Sequence, residues 1–209
     1  MGHFDSYVSV GYGGMKMAGY ASDFEWNSTS WTLTTEQAYS GSKSFRSTAA
    51  GISVLGKNTT VSSALDQRMV LYYWHPNTTT LQTRAFLLFR ISQFPTNPTD
   101  YLVYLKRGAG DYTSYHIVKR VNGSSSTLTS GSISGVYPQQ WLKMDARVRD
   151  SGGVAYLELS VYDESSNQII HAIASDTSPL SAGLFGIGVS YSEDPYYAYI
   201  DDLEYYVLG

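Results

Sequence analysis

The chain has 209 residues, of which 15% are charged and 43% are hydrophobic, and its formal net charge at pH 7 is −4. This length fits a single domain, and 14 basic residues against 18 acidic ones leave no basic surface for nucleic acid. The absence of cysteine excludes disulfides, thiolate nucleophiles and cysteine zinc sites. The four histidines, His3, His75, His116 and His171, have no metal-binding spacing.

Neither a membrane segment nor a targeting segment is expected. No apolar run approaches the ~20 residues of a membrane helix, and residues 1–14 lack the basic and apolar regions of a signal peptide. We therefore expect a protein that is synthesised in the cytoplasm and has no membrane partner.

The composition, with 19 Tyr and 19 Gly, favours strands and turns over helices. No stretch of about a dozen residues carries the apolar spacing of an amphipathic helix. The predicted strands, in chain order, lie near residues 20–26, 31–34, 43–48, 59–65, 68–74, 84–91, 101–105, 115–121, 141–148, 154–162, 168–175, 183–191 and 198–207. The sequence therefore predicts an all-β protein with no helix longer than one or two turns.

Two of these strands form the clearest predicted hairpin. Residues 141–148 and 154–162 alternate between apolar and polar side chains on either side of a turn at residues 150–153. The inward-facing positions that are expected to share one core include Leu142, Met144, Leu157 and Leu159.

The run at 84–91 is apolar on both faces, apart from its terminal arginines. A strand of this kind lies centrally in a sheet that a second layer covers, so two stacked antiparallel sheets are expected. Asn122-Gly123 is the strongest hairpin-turn signal. The two prolines in residues 92–100 exclude that segment from a central strand.

Residues 1–18 are Gly-rich and precede the first core strand, so we interpret them as an extended N-terminal arm. One alternative is a frayed terminus, since termini are disordered unless they dock. The other is a segment that becomes ordered on a neighbouring subunit by adding a strand to a sheet edge. The apolar contacts of this assembly arm are expected to be Phe4, Tyr7, Val8, Val10 and Tyr12.

Four stretches resemble parts of the concanavalin-A-like and related carbohydrate-binding jelly rolls. They are DFEWNSTSWTLTTEQAYSGSKSFRS (23–47), the Trp-led QQWLKMDARV (139–148), the Gly-rich GLFGIGV (183–189) and the closing YIDDLEYY (199–206). Their order implies a two-sheet antiparallel jelly-roll β-sandwich over residues 19–209, after the arm at 1–18. This fold hosts lectins, glycan-binding modules, glucanases, lyases and virion proteins, so function has to be argued from a site.

Two enzyme classes that share this fold do not match the sequence. Laminarinase-like members present their paired carboxylates as E-x-D-x-E on one strand face, whereas this chain has Asp202 and Glu204 with Ile200 at the preceding position. Alginate lyases use R-x-E-x-R, Q-[IV]-H and Y-F-K-x-G strands in that order. Here YLKRG (104–108) precedes QIIH (168–171), and the arginine strand encloses no acid. We therefore expect no enzymatic activity and no catalytic residues.

The closing strand carries a carboxylate among apolar positions. Asp201 shares a strand face with Leu203, Tyr205 and Val207, so it is buried if that face is the core. A buried charge must be paired, hydrogen-bonded or metal-bound. The resemblance implies a structural calcium ion held by an acid of the first strand and one of the last, which are Glu25 and Asp201. The alternative is a turn-capping hydrogen bond, or a salt bridge from Asp201 to Lys43 or Arg46. No other cofactor is implied.

Tyrosine is concentrated in three aromatic clusters, at residues 72–75, 112–115 and 196–199, and the chain has more of it than the filling of a core requires. Exposed Tyr and Trp side chains offer stiff, amphipathic surfaces for sugar stacking and for protein contacts. Because neighbours in a strand face opposite sides of the sheet, about half of each cluster must be core. The candidate glycan-binding or partner-binding residues are Tyr72, Trp74, Tyr112, Tyr115, Tyr196 and Tyr197.

These observations lead to two hypotheses for the function. The first, which we rank higher, is a non-catalytic phage virion protein of the head-decoration, tail or fibre type. It would form homo-oligomers, or bind other virion proteins, through its arm and aromatic surfaces, and would also be able to bind polysaccharide. Such a protein is made in the host cytoplasm and resides in the virion. The alternative is a polysaccharide-binding module of a surface or secreted, extracellular protein.

Overall fold

The computed structural model describes residues 10–11, 14–15, 24–39, 44–48, 53–60, 62–74, 83–107, 112–134, 139–190 and 197–208. Within these residues every regular element is a strand, so the predicted all-β class is confirmed. No helix that could span a membrane occurs in the described part of the chain.

The strands are numbered in chain order. The first eight are Val10–Gly11 (β1), Gly14–Met15 (β2), Phe24–Trp26 (β3), Trp31–Thr34 (β4), Ser44–Ser47 (β5), Ser53–Asn58 (β6), Gln67–Trp74 (β7) and Thr83–Gln93 (β8). The other eight are Thr99–Arg107 (β9), Tyr112–Val121 (β10), Ser124–Ser134 (β11), Trp141–Ser151 (β12), Val154–Tyr162 (β13), Gln168–Asp176 (β14), Leu184–Ser190 (β15) and Tyr199–Val207 (β16).

Fourteen of these strands form two seven-stranded sheets. Sheet I has the order β11-β10-β9-β8-β15-β6-β3, and sheet II has the order β14-β13-β12-β7-β16-β5-β4. Neighbouring strands pair antiparallel in both sheets. The predicted two-sheet antiparallel sandwich is therefore confirmed.

The core lies between the two sheets and is filled by alternate side chains of each strand. The predicted hairpin is β12 and β13, which pair directly with Ala146 opposite Leu159. The four side chains predicted to share the core are fully buried in it: Leu142, Met144, Leu157 and Leu159. The predicted turn at Asn122-Gly123 joins β10 to β11, and both residues have the positive φ of a tight hairpin turn.

Strand β8 is the fourth of seven strands in sheet I, which confirms its predicted central place. Ala85, Leu87 and Phe89 face the core, whereas Phe86 and Leu88 face the other side of the sheet. On that side a second apolar cluster is buried, and it also contains Leu55, Ile91, Leu102 and Val118. The outer face of sheet I is therefore partly apolar.

Arg90 follows the apolar run of β8 in a fully buried position. Its Nε and Nη1 atoms donate to the carbonyl oxygens of Leu65 and Leu180 at 2.8 Å each, and Nη2 lies 2.9 Å from Asp150 Oδ2. A buried charge is tolerated only when it is paired. The ion pair joins β8 of sheet I to β12 of sheet II and so fixes one end of the sandwich.

The described part of the predicted arm is a short antiparallel pair, in which Val10 lies opposite Met15 and Gly11 opposite Gly14. Strand β2 approaches β16 of sheet II. The sequence had not indicated this local pairing. The predicted arm contacts at Phe4, Tyr7, Val8 and Tyr12 lie outside the described residues, and so does the side chain of Val10.

Candidate functional site

A groove of ≈ 700 Å³ lies on the outer face of sheet II, over β7, β12 and β13. The alternation of β7 builds it: Met69, Leu71 and Tyr73 enter the core, so Arg68 and Tyr72 point outward. The strand register places Lys143 of β12 beside Tyr72 and Tyr162 of β13 beside Lys143. The groove is therefore a product of three neighbouring strands.

Aromatic side chains form one wall of the groove. Tyr39, in the loop between β4 and β5, stacks on Tyr72 with ring centroids 3.6 Å apart and planes 16° apart. The ring of Trp141 meets Tyr39 edge-on at 5.8 Å. Tyr39 is 43% exposed, so part of this aromatic platform is accessible to a ligand. Tyr162 lines the groove as well.

Asp201 holds Tyr39 in this position. The Tyr39 backbone N–H donates to Asp201 Oδ2 at 2.9 Å, and the Tyr199 hydroxyl donates to Glu36 Oε2 at 2.7 Å in the same loop. Burial, assisted by its hydrogen bond with Tyr39, raises the pKa of Tyr72, so this phenol is neutral at physiological pH. The platform is thus fixed by the closing strand beneath it.

Two ion pairs lie along the floor of the groove and of the cavity next to it. Arg68 Nε and Nη2 donate to the two carboxylate oxygens of Asp145 at 2.8 and 2.5 Å. Arg147 Nε donates to Glu158 Oε2 at 2.8 Å. These four residues line a smaller cavity of ≈ 270 Å³, which shares Arg68 and Asp145 with the groove. The two cavities therefore follow one another along the outer face.

A tight loop after β13 forms the rim. Asp163 accepts hydrogen bonds from the backbone and side-chain amides of Asn167 at 2.8 and 3.0 Å, and these bonds lower the pKa of Asp163. Glu164 Oε1 accepts the Trp141 backbone N–H at 2.8 Å. Polar groups that are held in place in a ligand pocket fix the orientation of the ligand. The carboxylates of Asp163 and Glu164 are held by N–H donors in this way and are suited to accept hydrogen bonds from the hydroxyl groups of a ligand.

The structure corrects the predicted orientation of Asp201. The residue is buried, with 3% exposure, but it pairs with outward-facing Tyr72, and directly opposed residues share a face. The register shifts between Asp201 and Glu204, and Asp202 has a φ of 47°. This bulge returns Leu203 to the core, so the simple alternation assumed from the sequence fails there.

The two acids proposed for calcium have separate partners. Glu25, on β3 of sheet I, lies 2.6 Å from Lys57 Nζ, whereas Asp201, on β16 of sheet II, accepts the backbone N–H groups of Tyr39 and Asp202. Calcium requires six to eight oxygen ligands, and the described residues contain no group of three or more metal-ligating side chains. This arrangement fits the hydrogen-bonding alternative better than a shared calcium site.

The other candidate residues lie in several places. Trp74 shares the outer face of β7 with Tyr72 and meets Tyr199 edge-on at 5.3 Å, and the Arg46 guanidinium covers Tyr197 at 3.7 Å. Tyr115 packs against the core from sheet I. The side chain of Tyr112 and all of Tyr196 lie outside the described residues.

Sequence reasoning missed three aromatic residues of the groove. They are Tyr39, Trp141 and Tyr162. Trp141 and Tyr162 lie inside the predicted strands 141–148 and 154–162, at the open end of the β12–β13 hairpin, and the alternation that buries Leu142 and Val161 already places both on the outer face. Tyr39 lies in a loop, where no periodicity exists to reveal it.

Comparisons with known proteins give a match in structure but not in sequence. No family model and no curated protein matches the chain. The exoplasmic/lumenal domain of VIP36 in its Ca²⁺/Man3GlcNAc-bound form superposes with a TM-score of 0.62 and 17% identity, over 91% of this chain and 86% of that one. The chain has the concanavalin-A-like jelly-roll fold.

Two further structures with this jelly roll are informative. The carbohydrate-binding module CBM66 from Bacillus subtilis matches with a TM-score of 0.51 and 17% identity, over 86% of this chain and 96% of that one. The CBM2 module of the evolved Dit of Lactobacillus casei BL23 phage J-1 matches with a TM-score of 0.51 and 13% identity, over 87% and 91%. The predicted lectin and carbohydrate-binding-module resemblance is therefore confirmed at the level of fold.

Proposed function

We propose that the protein is a non-catalytic glycan-binding jelly roll whose sugar site is the groove on the outer face of sheet II. The observation that carries this proposal is the aromatic platform, in which exposed Tyr39 lies on Tyr72 directly above a floor of hydrogen-bonding side chains. The neighbouring structures named as carbohydrate-binding modules support it.

The chemistry of the groove suits a sugar ring. One face of a pyranose is lined by C–H groups, which pack on an aromatic ring, and its edge carries hydroxyls, which need donors and acceptors. The platform supplies the apolar contact, and Asp145, Glu164 and Lys143 supply polar groups along the same groove.

The charges of the groove favour a neutral sugar. Arg68 is matched by Asp145 and Arg147 by Glu158, so an anionic group that approached either arginine would have to compete with an existing pair. A hydroxyl group needs no such exchange, because it can add to the free lone pairs and N–H groups of these side chains.

The test compares two tyrosines on the outer face of sheet II. Tyr39→Ala removes the platform, whereas Tyr156→Ala removes a residue that is 46% exposed and does not line the groove. On an array of neutral mannan, fructan and glucan oligosaccharides we expect Tyr39→Ala to weaken binding about tenfold, equivalent to ~1.4 kcal/mol, and Tyr156→Ala to have no effect. Equal effects of the two variants, or no binding of the wild type to any neutral glycan, would refute the site.

The second candidate function is the structural one, namely a phage virion component that assembles through the N-terminal arm. The match to a module of a phage Dit supports it, and it is compatible with glycan binding at the groove. In this hypothesis the protein forms a homo-oligomer or joins another virion protein after synthesis in the host cytoplasm. The alternative is an extracellular polysaccharide-binding module that acts as a monomer.

Deletion of residues 1–14 separates these alternatives. The strands of the two seven-stranded sheets begin at Phe24, so we expect the truncated chain to keep the jelly-roll fold. If the arm mediates assembly, light scattering will show an oligomer for the full chain and a monomer for the truncated one. The same oligomeric state for the two proteins would reject the arm as an assembly element.

A further inference from the structure

The groove on sheet II continues beyond its aromatic platform. It shares three lining residues, Arg68, Asp145 and Tyr162, with the adjoining cavity of ≈ 270 Å³. Arg147 and Glu158 line that cavity and not the groove. The two spaces therefore form one cleft, with the aromatic platform towards one end and an ion pair towards the other.

The strand register gives the length of this cleft. Lys143, Asp145 and Arg147 are successive outward-facing residues of β12, because the residues between them are buried in the core. Tyr72 of the platform lies opposite Lys143, and Glu158 lies opposite Arg147. Four residues of a strand separate these two levels, which is about 14 Å. One pyranose ring on the platform cannot reach over this distance, whereas a chain of linked rings can.

The far end of the cleft has an unused hydrogen-bond acceptor and an unused donor. Glu158 Oε2 accepts both the Nε and the Nη2 hydrogens of Arg147. Glu158 Oε1 lies 3.8 Å from His171 Nδ1, which is too far for a hydrogen bond. Within the described ranges of the chain, neither Glu158 Oε1 nor Arg147 Nη1 has a hydrogen-bond partner. Both side chains are partly exposed, so the two atoms can accept from one sugar hydroxyl and donate to another.

Ser160 adds a hydroxyl group to the same end. It lies opposite Asp145 and lines the smaller cavity. The Gln168 side-chain amide donates to Ser160 Oγ at 3.0 Å, and His171 Nδ1 lies 3.3 Å from the same oxygen. These contacts fix the floor of the cavity. Apart from Tyr162 its lining is polar, so this end can hold a ligand by hydrogen bonds, whereas the platform holds it by ring packing.

We propose that Arg147, Glu158 and Ser160, which we call the distal subsite, bind a second part of the glycan chain whose first part packs on Tyr39. This inference rests on the glycan-binding function proposed above and adds chain length to it. The chain lies along β12, and its hydroxyl groups bond to the distal subsite. Because both contacts belong to one ligand, the second forms without a further loss of translational freedom. The protein therefore selects oligosaccharides over monosaccharides and disaccharides.

The test measures how affinity depends on chain length at each end of the cleft. Disaccharides and tetrasaccharides, prepared by size fractionation of mannan, fructan and glucan digests, are titrated by calorimetry into the wild type. The variants are Glu158→Ala at the distal subsite, Tyr39→Ala at the platform and Tyr156→Ala as the control, since Tyr156 lies on the same face of β13 but lines neither cavity.

We expect the wild type to bind a tetrasaccharide about tenfold more tightly than the disaccharide of the same glycan, which corresponds to ~1.4 kcal/mol. Glu158→Ala is expected to lose this gain and to bind the disaccharide normally, whereas Tyr39→Ala weakens both ligands and Tyr156→Ala neither. Arg147→Met, which removes the donor but keeps an aliphatic side chain, is the second variant if Glu158→Ala lowers the melting temperature.

The outcomes separate the distal subsite from the groove itself. Equal affinity of the wild type for the two lengths would overturn the distal subsite, and so would distal variants that weaken both lengths equally or weaken neither. If Tyr39→Ala still weakens binding in these cases, the groove stands as a site for short sugars. If Tyr39→Ala has no effect, or if no oligosaccharide binds, the proposed function fails and the distal subsite fails with it.

Discussion

The two outer faces of the sandwich are built by the same strand alternation but differ in chemistry. On sheet II, Arg147 lies opposite Glu158, and the charged side chains neutralise each other beneath an aromatic platform. On sheet I, Arg84 lies opposite Lys106, beside a buried apolar cluster around Leu88. The outer face of sheet I also carries a cross-strand ion pair, Asp100 with Arg120, so the two faces differ in the apolar cluster of one and the aromatic platform of the other and not in charge pairing.

The largest expected effect concerns the apolar part of the outer face of sheet I. Leu88→Ala is expected to destabilise the protein by about 2–5 kcal/mol, as Leu157→Ala in the main core does, because both side chains are fully buried. Denaturant unfolding of the two variants checks this. A loss below about 1 kcal/mol for Leu88→Ala would mean that the apolar cluster on the outer face of sheet I is loosely packed. This face would then differ less from the outer face of sheet II.

A second effect concerns the edge where the two sheets meet. Asp176 of sheet II accepts hydrogen bonds from the Tyr101 hydroxyl at 2.7 Å and from Lys119 Nζ at 2.8 Å, both from sheet I. Asp176→Ala is expected to cost about 3 kcal/mol, since it leaves Lys119 without its carboxylate partner and the Tyr101 hydroxyl without an acceptor in a mostly buried place. A cost near zero in denaturant unfolding would show that this edge does not join the sheets.

The same carboxylate predicts a pH dependence. Burial alone would raise the pKa of Asp176, but hydrogen bonds from Lys119, Tyr101 and the Ser178 backbone outweigh it, and the pKa is lowered. The stabilisation is therefore present above the unfolded value of about 3.9 and is lost as the pH falls through the folded value. Between about pH 4 and pH 2 the melting temperature of the wild type should fall more than that of Asp176→Asn. Parallel curves would contradict the network.

A further prediction concerns how the aromatic platform of Tyr39 and Tyr72 is held on sheet II. Because Asp201 accepts backbone N–H groups directly, a chelator is expected to leave both the melting temperature and the binding of neutral glycans unchanged. A ligand that binds only the native state raises stability by mass action. A drop in melting temperature with chelator, restored by calcium, would instead show that Glu25 or Asp201 holds the metal.

The smallest expected effect concerns the exposed charge pair of sheet II. The side chains of Arg147 and Glu158 are 39% and 26% exposed, and solvent-exposed pairs contribute ~1 kcal/mol or less. Glu158→Gln removes the carboxylate partner of Arg147 and is expected to change the free energy of unfolding by less than about 1 kcal/mol. A loss well above 1 kcal/mol in denaturant unfolding would contradict the view that solvent screens this pair.

The fold was predictable where alternation is regular. In β12 and β13, each apolar residue that the pattern places inward is buried, and the Asn122-Gly123 turn needs only local information. The orientation of Asp201 was not predictable, because the bulge at Asp202 inserts a residue without any signal in the sequence. Arg90 likewise looked like the polar end of a strand, whereas distant carbonyl groups and Asp150 satisfy it in the interior.

The sites were less predictable than the fold, since they depend on residues far apart in the chain. Tyr39 reaches the groove through a hydrogen bond to Asp201, 162 residues away in the sequence. Tyr72 was predicted as an exposed aromatic from alternation alone, but its stacking partner was not. The opposition of Arg68 to Arg147 similarly requires the register of β7 and β12, which the sequence pattern does not specify.

A crystal structure with a bound neutral oligosaccharide, chosen as the tightest binder on the array, would locate the glycan site. We expect a sugar ring packed on Tyr39, with its hydroxyls within hydrogen-bonding distance of Asp145 or Glu164. A sugar bound elsewhere on the sandwich, with the groove of sheet II unoccupied, would contradict the assignment of neutral glycan binding to that face.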